Sequence, residues 1–241
     1  MPNTQNKAIE ISDILPMPPK KRGRPRKSDQ AAKGKEEGLR DQKKAAHRNR
    51  LIDATIHSIA QNGYAGTTVS TIQEISGLSR GMISLHFSTK EDLFKSALNR
   101  LADHYETFWR AALIKAGSKP ENQLLSVIEN DLSDAVLDSE MLPVWFAFRA
   151  ESHTHPEYLE LYGTRDSHYT QMLQEICLTL AERENKDQDF GLDSAYGIYA
   201  MIEGFWVEAF LHPKSFKSKQ AVRVIKTFLQ SRFPKSYSNI I

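Results

Sequence analysis

The sequence predicts an all-α fold in two parts, a small three-helix domain near the N-terminus and a larger helical domain behind it. Apolar residues recur with helical spacing from about residue 41 onward, and no convincing alternating run typical of a strand occurs. Five of the ten prolines lie in the first 25 residues, and the other five lie at or near apparent helix ends, where proline is tolerated. The 241 residues are enough for a proper core.

Residues 1–40 are predicted to be a disordered basic arm. The segment is rich in proline, glycine, lysine and glutamine, and it cannot bury enough apolar surface to offset the entropy of ordering. Residues 1–50 hold 14 Lys/Arg and 6 Asp/Glu, a net charge of +8, whereas the rest holds 18 and 24, a net charge of −6. This asymmetry favours a nucleic-acid contact surface joined to a body with another role.

A short motif in the arm, Arg22-Gly23-Arg24-Pro25, is typical of an AT-hook. Glycine lets the backbone lie flat and proline fixes an extended course, so the two arginines can reach along a narrow minor groove over A·T tracts. Two other interpretations of the basic run 20–27 stay open. It can be a solvated tail that binds phosphates without sequence preference, or a nuclear import signal.

Residues 41–95 have the pattern of three helices followed by the start of a long fourth one. The first apolar stripe ends at Asn62-Gly63, and Gly77 is the expected stop of the second helix. The expected N-caps of the second and third helices are Thr68 and Ser79. A capping box formed by Ser88 and Glu91 is expected to open the fourth.

The segment 66–94 therefore has the pattern of a helix-turn-helix, in which the second helix enters the major groove and the first crosses the phosphate backbone. The residues expected to lock the two helices together are Val69, Ile72, Ile75, Leu78 and Ile83. The side chains expected to face outward with hydrogen-bonding groups are Ser79, Arg80, Ser84 and His86. Thr68 and Lys90 are placed to hold phosphates. An ordinary helical hairpin with a polar outer face is the alternative interpretation.

A set of residues in this segment matches a known family motif in order: Gly66, Thr67, Thr68, Ile72, Ile75, Gly77, Ser79, Gly81, Phe87, Lys90 and Leu93. On these residues the chain resembles the DNA-binding domain of TetR-type transcriptional regulators over about residues 43–95. The resemblance implies that the helix that begins after Ser79 contacts the DNA bases and that Gly81 is one of its DNA-binding residues. The family often has an aromatic residue two positions before the His-Phe pair, where this chain has Ser84.

Residues 96–241 are expected to form a ligand-binding and dimerisation domain. In the stretch 194–211, one helical face carries Tyr196, Tyr199, Glu203, Trp206 and Phe210. A lone carboxylate in an aromatic stripe is costly to bury unless it is paired, and a quaternary ammonium ligand held by cation–π contacts would pair it. The alternative is a packed core or a dimer seam in which Glu203 pairs with a neighbouring arginine.

Two stretches, residues 141–169 and 199–211, resemble the ligand-binding part of the BetI-type branch of the family, whose members repress choline-to-betaine genes and respond to choline. The resemblance implies that Trp145 and Phe148 add aromatic faces to a site with Tyr199, Glu203 and Trp206. Arg149 stands where that branch tends to carry an aromatic residue, and a cation there argues against a positively charged inducer.

The last two predicted helices, about 193–211 and 217–232, correspond to helices that form a four-helix dimer interface in the resembled family. Their apolar residues include Ala195, Ile198, Ile202, Ala209, Val222, Ile225, Phe228 and Leu229. A two-fold dimer would present paired recognition helices to a palindromic operator in double-stranded DNA. A ligand would then act by favouring a wider spacing of the two heads.

Other classes of protein are disfavoured by the sequence. No glycine-rich nucleotide motif, catalytic constellation or metal-ligand spacing occurs, so we expect no enzyme, no cofactor and no metal. The single cysteine excludes an intramolecular disulfide, and the absence of a long apolar run favours a cytoplasmic protein without a membrane partner. A nucleoid-associated DNA binder that lacks an effector is the alternative to a ligand-responsive regulator.

Overall fold

The computed structural model describes residues 27–137 and 140–238, which form ten helices and no strand. The predicted all-α fold is therefore confirmed. The helices are α1 (Lys27–Gly66), α2 (Val69–Ser76), α3 (Arg80–His86), α4 (Lys90–Ala116), α5 (Pro120–Asp131), α6 (Asp134–Leu137), α7 (Met141–Glu151), α8 (Pro156–Arg183), α9 (Gln188–Leu211) and α10 (Ser218–Arg232). Over the same residues, no helix is both long and apolar enough to cross a membrane.

The chain divides into two units, residues 1–44 and 45–241, and the helix-turn-helix and the cavity described below lie in the second. The predicted disordered arm is wrong in part, because α1 already begins at Lys27. Residues 27–40 are rich in alanine, glutamate, lysine and glutamine, whose high helix propensity sustains a helix that lacks an apolar stripe. The remainder of the predicted arm, including Arg22-Gly23-Arg24-Pro25, lies outside the described residues.

The helix-turn-helix segment begins where α1 loses its regular geometry. Gly63 lies inside α1 with φ 70° and ψ 176°, a conformation that glycine adopts without a steric penalty. This is the position at which the sequence predicted the first helix to end. The buried apolar residues of the helix-turn-helix part are Leu51, Ile52, Ile59, Ile72, Ile83, Phe87, Leu93 and Phe94.

The helix α4 begins at a different capping residue from the predicted one. Thr89 is the N-cap, its hydroxyl accepting from the Asp92 amide at 3.0 Å, and the Asp92 carboxylate accepts from the Thr89 amide at 3.2 Å. The box therefore lies one residue later than the predicted pair Ser88 and Glu91. The predicted domain boundary at residue 95 also falls inside α4, which continues to Ala116 without a break.

The C-terminal helices form a bundle in which α8 packs along α9 and α4 packs along α5. The helical apolar periodicity of the sequence continues through residues 120–137, but the helix there is interrupted, since α5 stops at Asp131 and α6 starts at Asp134. Two carbonyl groups freed by this break accept hydrogen bonds from other helices. The Asp131 carbonyl accepts from Trp206 Nε1 at 2.9 Å, and the Leu132 carbonyl accepts from the Ser218 hydroxyl. The break brings Asp131 into the interior, where it is 0% exposed.

Candidate DNA-reading helix and ligand cavity

A glycine fixes the turn between α2 and α3, and buried hydroxyl groups fix the connection between α1 and α2. Gly77 ends α2 with φ 64°, and its amide donates to the Gln73 carbonyl at 2.8 Å. The Thr67 hydroxyl is buried and donates to the Gly63 carbonyl at 2.9 Å. The Ser58 hydroxyl lies 3.1 Å from the Thr67 hydroxyl. These contacts hold the start of α2 against α1.

The outer face of α3 consists of small or flexible residues. Arg80, Gly81 and Ser84 are exposed, as the sequence predicted. The Ser84 hydroxyl donates to the Arg80 carbonyl at 3.3 Å, which leaves its oxygen free to accept. Leu85 is 65% exposed on this helix, and it was not among the residues predicted to contact DNA. A large apolar side chain on a polar outer face is the signal that would have identified it.

Thr68 and Ser79, the N-cap residues of α2 and α3, are exposed, and the hydroxyl group of each accepts a hydrogen bond from an amide of its own helix. The Thr68 hydroxyl accepts from the Thr71 amide at 3.2 Å, and the Ser79 hydroxyl accepts from the Met82 amide at 3.4 Å. Both predicted caps are confirmed. Ile75 was predicted to lock the two helices, but it is 37% exposed and contributes less than Ile72, which is fully buried.

Two of the residues predicted to contact DNA, His86 and Lys90, have side chains that contact the protein's own rings. His86 is half-buried, and its ring lies edge-on to His47 with a centroid separation of 6.2 Å. It is the last residue of α3, where the side chain packs back toward α1 instead of continuing the outer face. The Lys90 ammonium lies 4.6 Å from the centre of the Phe94 ring and 5.8 Å from that of Tyr64. Its charge is thus partly engaged in cation–π contacts.

Four of the five predicted ligand-binding residues line one cavity in the C-terminal bundle: Trp145, Tyr199, Glu203 and Trp206. The same cavity is lined by Tyr105, Asp166, Tyr169 and Ile202, which come from α4, α8 and α9. The rings contact one another, with centroid separations of 5.4 Å between Tyr105 and Trp206 and 5.8 Å between Tyr105 and Tyr169. The cavity has a free volume of about 10 Å³, which is room for about one water molecule.

The two carboxylates that line this cavity, Glu203 and Asp166, both lie next to the Arg149 guanidinium. The Arg149 guanidinium donates to the Glu203 carboxylate, and Arg149 Nη2 lies 3.9 Å from Asp166 Oδ2. The Arg149 side chain is 30% exposed and that of Glu203 is 20% exposed. Burial raises the pKa of Asp166 to about 6, although the nearby Arg149 charge opposes the shift. The arginine partner that the sequence left as an alternative for Glu203 is therefore present.

A third carboxyl group, that of Asp131, contacts the aromatic cluster through Tyr169. The Tyr169 hydroxyl donates to Asp131 Oδ2, and both residues are buried. Burial raises the pKa of Asp131 to about 7, although hydrogen bonds from Tyr169, Asn130 and Tyr105 act in the opposite direction. The cluster thus combines three carboxyl groups, Asp131, Asp166 and Glu203, with one guanidinium. Carboxyl groups therefore outnumber positively charged groups in this cluster.

Phe148 was predicted to line the cavity and does not. Its ring is fully buried against Phe94, with centroids 6.3 Å apart, and against Tyr158, with centroids 5.1 Å apart. Residues three positions apart on a helix diverge by about 60°. On the buried helix α7 this divergence is enough to aim Trp145 at the cavity and Phe148 at the helix-turn-helix part.

The sequence missed Tyr105, Asp131, Asp166 and Tyr169. Each belongs to a different helix from the predicted stripe on α9, so no spacing within one helix could have placed them beside Glu203.

The apolar residues that the sequence assigned to a dimer interface lie mainly in the chain's own core. Ile198, Ile225 and Leu229 are fully buried, and Ile202 and Ala195 are nearly so. A different face of α9 and α10 is apolar and exposed: Leu192, Tyr196, Val207, Phe210, Leu211 and Val224. The two ends of the predicted aromatic stripe, Tyr196 and Phe210, point outward with this face, and only its middle points to the cavity.

Comparison with known proteins agrees with this arrangement. A family model described as bacterial regulatory proteins of the tetR family matches residues 51–97, and one described as the C-terminal part of BetI-type transcriptional repressors matches residues 120–234. The HTH-type transcriptional regulator BetI of Stenotrophomonas maltophilia is 27% identical over 179 residues, which cover 73% of this chain and 88% of the relative.

Solved structures share the fold. A Pseudomonas aeruginosa PAO1 protein aligns with a TM-score of 0.70 at 22% identity, over 79% of this chain and 92% of its own. A Saccharomonospora viridis protein, crystallised in complex with choline, aligns with a TM-score of 0.69 at 21% identity, over 77% of this chain and 96% of its own. The chain therefore belongs to the TetR family of bacterial transcriptional regulators, which are not enzymes, and its C-terminal half is of the BetI type.

Proposed function

We propose that this regulator is a dimeric repressor that binds a palindromic operator and leaves it when a small quaternary ammonium compound such as choline binds. The observation that carries the proposal is the cavity in the C-terminal bundle, in which aromatic rings surround a cluster with more carboxyl groups than cations. Such a site suits a cation that presents methyl groups to ring faces. The choline complex of the S. viridis protein supports the same ligand class.

On the DNA side, α3 would enter the major groove with its exposed face. Arg80 and Ser84 offer hydrogen bonds to base edges, and Gly81 allows close approach of the backbone. Ser79 and Thr68 lie at the N-termini of α3 and α2, next to where phosphates would pass, with Lys90 behind them. His86 and Lys90 would have to leave their ring contacts to reach DNA, so we place them second to Arg80 and Ser84. The arm with Arg22-Gly23-Arg24-Pro25 would add minor-groove contacts.

The proposed dimer would use the exposed apolar face of α9 and α10. Tyr196 is 74% exposed and Leu211 is 60% exposed, and the other four apolar residues of the face lie nearby in sequence. A self-complementary pairing of this face would bury it and present two copies of α3 to the two halves of one operator. The regulator would then be released when the effector changes the spacing of the two copies.

The DNA proposal is tested by selecting from a random duplex library with the full chain and with a chain that lacks residues 1–26. We expect both proteins to enrich the same palindrome, with weaker and less salt-dependent binding for the shortened chain. A nucleoid-associated protein would instead bind without sequence preference, and its binding would vanish with the arm. Enrichment of a palindrome by neither protein would contradict the proposal.

The ligand proposal is tested by calorimetric titration of the full chain with choline, tetramethylammonium and the neutral isostere 3,3-dimethylbutan-1-ol. We expect the two cations to bind and the neutral compound to bind at least tenfold more weakly, because it cannot pair with the carboxylates. Glu203→Gln should weaken cation binding, whereas Glu208→Gln, an exposed residue on the same helix, should leave it unchanged. Equal affinity for choline and its neutral isostere would contradict the cation site.

A further inference from the structure

The cavity is already filled by the protein's own groups. Ligand-binding cavities usually measure about 300–1,000 Å³, whereas this one has about 10 Å³ of free volume. A trimethylammonium group therefore fits only if a side chain moves. Trp145, Trp206 and Tyr169 are at most 4% exposed and belong to the core, so moving any of them would disrupt packing on several helices.

Arg149 is the side chain that can move most easily. Its guanidinium lies beside Glu203 and Asp166, and 30% of the side chain is exposed to solvent. A long flexible arginine can extend its charged end into water while its methylene groups stay packed. The departure of the guanidinium would free the space next to two carboxylates and the Tyr199 ring, which also line the cavity.

We propose that Arg149 is a built-in substitute for the cationic group of the effector: its guanidinium occupies the cation position in the free chain and is displaced when the effector's ammonium group enters. This inference rests on the proposed function and specifies how the ligand enters. Leaving a largely buried carboxylate without a partner is destabilising, so Glu203 favours a neighbouring cation in both states. The exchange keeps Glu203 paired in both states.

Displacement of Arg149 would couple the ligand cavity to the helix-turn-helix through α7. Arg149 directly follows Phe148 on α7, and the Phe148 ring contacts Tyr64 of α1 at a centroid separation of 5.9 Å and Phe94 of α4 at 6.3 Å. In the free chain, the Arg149–Glu203 pair ties this turn of α7 to α9. Displacement of Arg149 breaks the ion pair between α7 and α9. The turn of α7 that carries Phe148 can then shift relative to α1 and α4. The Arg149–Glu203 ion pair thus stabilises the conformation of the chain without effector.

The test is a titration of the full chain and of Arg149→Met with choline and with tetramethylammonium. Methionine keeps an unbranched apolar stem and removes the competing charge. We expect Arg149→Met to bind both cations at least tenfold more tightly than the natural chain, and to change the affinity for 3,3-dimethylbutan-1-ol by less than threefold. Arg149→Lys, which keeps a cation at this position, should stay within about threefold of the natural chain.

Unchanged or weaker cation binding by a folded Arg149→Met would overturn the inference, because the guanidinium would then not compete with the effector. If neither the natural chain nor the variant binds either cation, the proposed ligand class itself is wrong. That result is distinct from the first, in which the natural chain binds.

A second measurement uses the natural chain and does not depend on the stability of the variant. The Arg149 Nη–H resonances, assigned by their loss in Arg149→Lys, are expected to be protected from solvent exchange in the free protein, because Nη1 and Nη2 face Glu203 and Asp166. Saturation with choline should abolish that protection. Unaltered resonances in the choline-saturated protein would show that Arg149 stays in place and would overturn the inference.

Discussion

The ring of Phe148 in α7 packs edge-on against the ring of Tyr64 in α1, with centroids 5.9 Å apart. Tyr64 precedes α2 by a few residues, and its hydroxyl lies 2.9 Å from that of Tyr158 in α8. Glu140, next to the start of α7, also pairs with His57 of α1. The helix α7 therefore contacts the base of the helix-turn-helix on one side and supplies Trp145 to the ligand cavity on the other.

This position of α7 predicts that Phe148→Leu uncouples ligand binding from DNA binding. The smaller side chain loses edge contacts with Tyr64 and Phe94, so a shift of α7 is transmitted less completely. We expect choline affinity to stay within about threefold, while the ratio of DNA affinities without and with choline falls toward one. Phe146→Leu is the matched control, because Phe146 lies on the same helix and packs against Phe210 instead. A ratio that is equal in the two variants would contradict this role of Phe148.

The turn between α2 and α3 gives a prediction about stability. Gly77 has φ 64°, and an added Cβ would lie 3.0 Å from Arg50 Nη2. We expect Gly77→Ala to lower the free energy of unfolding by about 1–2 kcal/mol, because a side chain destabilises the left-handed conformation. Gly81→Ala is the control, since a Cβ there meets only Ser79 Oγ at 3.9 Å within a helix. Urea denaturation should show no loss for Gly81→Ala, and equal losses would contradict the prediction.

The sequence predicted the local features of the fold well, because caps and turns depend on a few neighbouring residues. Thr68, Ser79 and Gly77 have the predicted roles, since each is set by hydrogen bonds or dihedral angles within a few positions. The α4 cap at Thr89, one residue after the predicted Ser88, shows that capping rules locate a helix start only to within about one residue. Both pairs satisfy the spacing of a capping box, and the three-dimensional path of the chain selects one.

Helical spacing predicted the cavity residues of α9 only, and Trp145 of α7 was predicted from the family resemblance. Helical spacing identified Glu203 and Trp206 on α9, but it could not show that Asp131 and Tyr169 approach them from other helices. The same limit explains the error at Phe148, since periodicity identifies a buried residue without identifying its neighbour. It also explains why the sequence assigned Ile198 to a dimer interface when that residue is in the core.

Leu85 is expected to contribute to operator specificity. Its side chain is 65% exposed on α3, and the thymine methyl is the apolar group that the major groove presents. Replacing one contacted thymine by deoxyuridine should weaken binding by about fourfold, equivalent to about 0.8 kcal/mol for one buried carbon group. In Leu85→Ala the same replacement should have no effect. A binding measurement on the selected operator, with each thymine replaced in turn, checks this, and equal losses in both proteins would contradict it.

Asp131 is expected to make the free protein less stable as the pH rises. Its folded pKa is about 7, above its ordinary value of 3.8, so between these values the folded state holds a proton that the unfolded state has lost. The free energy of unfolding then falls with rising pH, by at most about 4 kcal/mol over this range. Asp131→Asn should remove this component, and exposed Asp134→Asn should retain it. Urea denaturation between pH 5 and pH 8 should show a growing advantage of Asp131→Asn, and a constant difference would contradict the shift.

The same carboxyl group predicts that choline binds more tightly as the pH rises. Choline that enters the cavity favours the ionised form of Asp131, whose pKa is about 7, so binding releases a proton. The pKa of Asp166, about 6, should change less on binding, because choline replaces the Arg149 guanidinium beside it. The charged and titratable groups around Asp131 and Asp166 are Arg149, Glu203, Tyr105, Tyr169 and Tyr199, and the pKa values of the three tyrosines are raised. Choline affinity should therefore increase from pH 5.5 to pH 8, by at most about tenfold per pH unit for each proton released.

Calorimetry in buffers of different ionisation enthalpy measures the released proton directly. The neutral isostere serves as the control, because it carries no charge and its affinity should change little over the same pH range. Asp131→Asn should flatten the choline profile. A choline affinity that is constant or that increases toward acid pH would show that Asp131 does not face the bound cation.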